Sequence, residues 1–145
     1  MNPYARHRAS AAYRSAAETV TPARAIVMLY DGAIKRLTDA KSAIEDKRVE
    51  DRYNAVMKAY DIVNGLHCHL DHEAGGEIAA MLDRYYNYIL HRLTMINIAD
   101  DASICDEVIA KLREMRTSWA YIATEAGTPP SNDRTDGNRE TALSA

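Results

Sequence analysis

Four stretches of about 23 to 25 residues carry apolar side chains at spacings of three and four, with only short separations between them. That repeat puts one apolar stripe on each of four helices, and helices of similar length joined by short turns pack as antiparallel neighbours. The first runs from Thr21-Pro22, an N-cap followed by proline at the first helical position, to about Asp46. Its stripe is Ile26, Tyr30, Ala33, Leu37, Ala40 and Ile44. The second spans about Val49 to Asp71, with Val49, Tyr53, Val56, Tyr60, Val63, His67 and Leu70 inward and Met57 on its shoulder. Ala74-Gly75-Gly76 interrupts the pattern, and Glu77 opens a third helix striped by Ile78, Leu82, Tyr85, Ile89, Leu93 and Ile96. Asp100-Asp101 closes it and caps the fourth, which carries Ile104, Val108, Leu112, Met115, Trp119 and Ile122 and stops at Gly127. No strand pattern competes. The expected fold is all-α, an antiparallel four-helix bundle over residues 21–127.

The flanks differ in character. Residues 1–20 carry Arg6, Arg8 and Arg14 against a single acid, Glu18, and read as a mobile N-terminal arm. Residues 128–145 are polar and punctuated by Pro and Gly, too poor in apolar surface to offset the entropy of ordering, and read as a disordered tail. A formal net charge of -3 provides no broad cationic surface, which argues against nucleic acid as a partner. No run approaches the roughly 20 apolar residues of a spanning helix, and the N-terminus lacks the apolar run of a secretory signal. The expectation is a cytoplasmic protein with no membrane insertion. Cys68 and Cys105 sit within helical patterns without paired spacing, as expected of reduced thiols.

Residues that could carry chemistry do not assemble. His67-Cys68-His69 with His72 suggests zinc, yet on a helix His69 and His72 share a face while His67 points to the core stripe and Cys68 is rotated from both. A di-metal carboxylate centre needs inward Glu and Glu-x-x-His pairs, and the residues three before His67, His69, His72 and His91 are Asn64, Leu66, His69 and Tyr88. Gly75-Gly76 lacks the context of a phosphate loop. Asp31, Asp61 and Asp83 on helix shoulders are read as solvated or paired. No catalytic, cofactor-binding or metal-binding residue is therefore expected, and the chain is not read as an enzyme.

The apolar surface exceeds what a bundle core needs, about three positions in seven. Met81, Tyr88 and Met95 lie on one shoulder of the third helix and Tyr86 on the other, with Leu90 and Ile98 turned further out. Met28, Ile62, Leu66 and Ile109 also fall off the inward stripes. Nine Tyr and six Met, side chains that tolerate partial exposure or adapt their shape, fit a surface that a partner covers. The periodicity leaves three covers open: the arm, a dimer mate, or an external helical ligand.

Specific motifs narrow the choice. Tyr13 ahead of Thr21-Pro22, then Ile26-Val27-Met28-Leu29-Tyr30-Asp31-Gly32-Ala33, resembles the signature of the flagellar secretion chaperone (FliS) family. Ala59-Tyr60-Asp61-Ile62-Val63-Asn64-Gly65-Leu66 ending at Leu70-Asp71, Gly75-Gly76-Glu77-Ile78-Ala79, and Leu82 with Tyr85 through Leu93 and Asn97-Ile98 are similar to that family in order and spacing. Asp106-Glu107-Val108 and Trp119 fit as well, so the resemblance covers about residues 13 to 122. The chain departs from the pattern at His67-Cys68-His69, where the family has small or apolar residues, and in its Arg-rich arm. The resemblance implies a cytosolic chaperone that holds the C-terminal helical segment of flagellin, prevents premature polymerisation and assists delivery to export apparatus components. On that reading Met28, Tyr30, Ile62, Leu66, Tyr88 and Ile109 are candidate contacts, and Tyr13 anchors an arm that the client displaces. The alternative is a structural bundle that dimerises or binds another helical regulator through the same surface.

Overall fold

The computed structural model describes residues 20–126, which form four helices: α1 (Pro22–Glu45), α2 (Val49–Cys68), α3 (His72–Ala99) and α4 (Ala102–Ala126). The all-α reading holds among these residues. The expected arm, with Tyr13, and the expected tail lie outside them. Three of the four helices begin where a short polar side chain takes up free N–H groups of the first turn, while α2 follows Arg48, whose side chain makes no such bond. Thr21 Oγ1 accepts from the Arg24 amide at 3.2 Å, and Asp71 Oδ1 accepts from the amides of Glu73 and Ala74 at 3.1 and 3.0 Å. Asp101 Oδ1 accepts from the Ser103 amide at 2.8 Å. Lys47 and Asp100 take left-handed backbone angles that turn the chain after α1 and α3.

The sequence places the end of the second helix at Asp71 and the start of the third at Glu77. In the structure α2 stops at Cys68, and Asp71 caps a turn of helix that precedes Glu77. The break falls at Gly76 alone, whose φ of 50° and ψ of -121° interrupt α3 and suit only a residue without a side chain.

α1 packs on α2 and α4, and α3 packs on the same two helices. The helices therefore stand at the corners of a square, α1 diagonal to α3, with consecutive helices antiparallel. The core holds Leu37, Val56, Val63, Ile89, Leu93, Ile96, Val108 and Leu112. Across the diagonal the Tyr30 hydroxyl donates to the Tyr86 hydroxyl at 3.0 Å, which lets two large rings be buried without leaving that pair of oxygens unbonded. Tyr85 packs edge-on against Tyr86 and donates its hydroxyl to the Lys111 carbonyl at 3.1 Å.

The stripes are corrected at their ends and in their direction. Val49, Tyr53, Ile78 and Ile122 were expected inward and are exposed, Ile78 at 66%, because a helix end projects past its neighbours whatever its periodicity. Tyr86, Leu90 and Ile109 were expected off the core and are buried. Laid out at roughly 100° per residue, the buried arc of α3 is rotated about 40° toward Tyr86 and Leu90, the side on which Asp83 and Tyr86 meet His67 of α2 and away from Tyr85 and Tyr88, which bond α4.

Two expectations follow. Gly76→Ala should destabilise the bundle by about 1–3 kcal/mol, the cost of a side chain at a glycine-only backbone conformation. Urea unfolding should report it as a lower midpoint with an unchanged slope. Burial holds the phenols of Tyr30, Tyr85 and Tyr86 above the ordinary tyrosine value. A raised folded value means that their contribution is full below the unfolded phenol value near 10 and is lost as the pH climbs above it. An alkaline titration followed by phenolate absorbance and circular dichroism should show these three ionising only as the helical signal falls. Full phenolate absorbance with helicity intact would contradict the burial.

Candidate functional site

At the end of the bundle where α2 finishes and α3 begins, the four helices leave an apolar groove of about 480 Å³. Ile26 and Leu29 of α1 form one wall, Ile62, Gly65 and Leu66 of α2 the other, and Leu82, Tyr86 and Trp119 lie at its base. Amphipathic periodicity explains the walls: Ile26 and Leu29 are three apart on α1, and Ile62 and Leu66 are four apart on α2, so each pair shares a helix face. Asp61, Asp71 and His69 make the polar rim. The Trp119 indole N–H is buried beside the Tyr30 hydroxyl but meets no acceptor in hydrogen-bond geometry.

The structure gathers some of the predicted contact residues and separates others. Ile62 and Leu66 are together on the α2 wall, half-buried. Met28, 58% exposed, neighbours Leu29 on α1 without lining the groove. Tyr30 lies fully buried beneath the groove, bonded to Tyr86, and Ile109 is buried in the core, so neither presents surface in this conformation. Tyr88 sits elsewhere, between α3 and α4. Its hydroxyl donates to Glu107 Oε1 at 2.6 Å, Arg92 donates through Nε and Nη2 to Glu107 Oε2, and Lys111 Nζ stands 5.2 Å from the ring centroid. Those donors hold the Glu107 carboxyl below its usual range, the Tyr88 hydroxyl first and Arg92 next. Leu29, Gly65 and Leu82 were missed as site residues. Leu29 had a signal in its three-residue offset from Ile26, whereas Gly65 carried none visible to a hydrophobic pattern.

The histidines are engaged separately. His67 Nε2 donates to Asp83 Oδ1 at 2.7 Å, tying α2 to α3, and His69 Nδ1 donates to the Gly65 carbonyl at 2.8 Å. Among the described residues no three His, Cys, Asp or Glu side chains are grouped to hold a metal ion. Asp31 pairs with Arg116, tying α1 to α4. No helix among them is long and apolar enough to cross a membrane. A second groove of about 480 Å³ lies at the other end, between α2 and α3, lined by Tyr53, Met57, Tyr60, Leu93 and Ile98. It contains none of the predicted contact residues.

Comparison with known proteins shows the family. The family model described as flagellar protein FliS matches residues 4–126. The chain is 40% identical to flagellar secretion chaperone FliSB of Pseudomonas aeruginosa over 102 residues, covering 70% of this chain and 81% of the relative. It is 36% identical to flagellar secretion chaperone FliS of Salmonella typhimurium over 119 residues, 81% of this chain and 88% of the relative. With the FliS of Bacillus subtilis it shares 29% over 118 residues, 81% of this chain and 84% of the relative. The chain belongs to the FliS family.

Proposed function

We propose that this protein is a cytosolic flagellar export chaperone that holds the C-terminal helical segment of flagellin in the groove between α1 and α2. The observation that carries the reading is the groove itself: an apolar trough with Ile62 and Leu66 on one wall, Ile26 and Leu29 on the other, and a base of aromatic rings. Such a trough accepts the apolar face of an amphipathic helix, whose anchors recur at i, i+3, i+4 and i+7. An unassembled flagellin subunit carries a terminal segment whose apolar side would otherwise pair with other subunits. Covering that side prevents polymerisation while leaving the chain free to be delivered to the export apparatus. Tyr13 and the arm, which precede α1 and its groove wall, are the natural competitor for the same surface, displaced when the client makes the better contacts.

The test is direct. Flagellin should form a stable complex with this protein by size-exclusion chromatography, and flagellin lacking its C-terminal helix should elute separately. Ile62→Asp should weaken binding roughly 30-fold or more, since an anchor of this kind is worth about 2 kcal/mol or above. Its half-buried position keeps the core intact, which circular dichroism would check. Equal binding of the truncated flagellin would overturn the reading.

A further inference from the structure

Four glycines are described, and two have a reason within the fold. A Cβ at Gly75 would lie 2.7 Å from the Ala79 Cβ and Gly76 has its positive φ, whereas a Cβ at Gly32 would make an ordinary contact with Ile62 Cδ1 at 3.5 Å, which gives no such reason. Gly65 has none. It sits in the helical backbone of α2, where glycine is less favourable than alanine by roughly 0.5–1 kcal/mol. A Cβ built there meets nothing within 4 Å. The backbone angle imposes no glycine either, because Gly76 is the one described glycine with positive φ.

The position lies on the wall of the groove. Asp61 and Gly65 of α2 and His69, the residue that caps its end, succeed one another at intervals of four and all three line the groove, so they form one ridge. At Gly65 that ridge is notched, with Ile62 and Leu66 beside the notch. His69 turns its ring back onto the Gly65 carbonyl at 2.8 Å, which fixes the ring at the end of the ridge. Ridges of one helix pack into grooves of another, and small residues at the crossing bring the two backbones closest.

We infer that Gly65 is the close-approach point for the bound client: the flagellin helix crosses α2 there, backbone against backbone, with a small residue of its own facing the notch. Gly65 then sets the depth at which the client helix lies between Ile62 and Leu29, and it selects clients with Ala, Ser or Gly at the crossing over those with a bulky side chain. This assignment rests on the groove reading proposed above. It explains a helix-weakening residue that nothing inside the fold requires.

The experiment compares wild type, Gly65→Ala, Gly65→Met and Ile62→Asp by thermal unfolding and by calorimetric titration with a purified C-terminal fragment of flagellin. Gly65→Ala should raise the unfolding midpoint of the free protein by ~2–5 °C, since it restricts the unfolded chain without a clash. The same change should weaken fragment binding about tenfold, a loss of about 1.4 kcal/mol, and Gly65→Met should weaken it further. Opposite signs for stability and binding in one variant are what a purely structural glycine does not give. A stabilised Gly65→Ala that binds as wild type, while Ile62→Asp loses binding, overturns the close-approach assignment and leaves the groove reading standing. A lower midpoint for Gly65→Ala also overturns it, by showing that the fold needs the glycine. If Ile62→Asp binds as wild type, the groove reading fails and takes this assignment with it.

Discussion

The structure depends on Tyr30 and Tyr86 meeting across the diagonal of the bundle. In a square of four helices each neighbouring pair shares a seam, but the diagonal pair must be spanned by side chains alone. Two phenol rings joined through their hydroxyls span it, setting how far α1 and α3 stand apart at that level. Elsewhere small residues set the spacing: Ala33 and Ala40 on α1 and Ala55 and Ala59 on α2 are buried, and small side chains allow helix axes to come closer. Large rings thus lie near the Trp119 end and buried alanines toward the middle of α1 and α2.

Charges reinforce the same division. Asp31 with Arg116 and Lys41 with Asp106 tie α1 to α4, His67 with Asp83 ties α2 to α3, and Arg92 with Glu107 ties α3 to α4. Each exposed pair contributes little, typically about 0–1 kcal/mol, so their number is not an argument about stability. Their placement is informative. Among the described residues no ion pair crosses from α1 to α2, which leaves that seam apolar at the end where the groove opens. Tyr88, by contrast, is partly exposed but committed to Glu107, beneath a lysine.

Much of this was legible in the sequence because period and punctuation report local physics. The repeats at three and four located the helices, Thr21 and the Asp100-Asp101 pair marked boundaries through capping, and Gly76, read as lying between two helices, marks a break inside α3. Direction was less legible. A stripe shows that one face is apolar, but whether Tyr86, Leu90 or Ile109 lies inside that face or just beyond it depends on where two neighbours stand, which a single helix does not encode. Tyr30 was placed on the core stripe and also named as a contact, and full burial separates those roles. Ile62 and Leu66 were found as surplus apolars because they sit four apart off the core stripe. Gly65, between them in space and sequence, was invisible to a search for hydrophobic excess, since its contribution is the absence of a side chain.

A chaperone that must release its client is served by a groove whose walls are already half-covered. Ile26, Ile62, Leu66 and Trp119 are neither exposed nor buried in the free chain, so an arriving helix removes only part of their surface from water. Fully burying such side chains would contribute about 1.5–3 kcal/mol each, and partial burial contributes correspondingly less. Against that gain stand the loss of translational and rotational freedom, some 4 kcal/mol or more, and the ordering of the client segment. On the proposed reading the surplus is modest, and a competing segment of similar chemistry, such as the arm carrying Tyr13, can tip it.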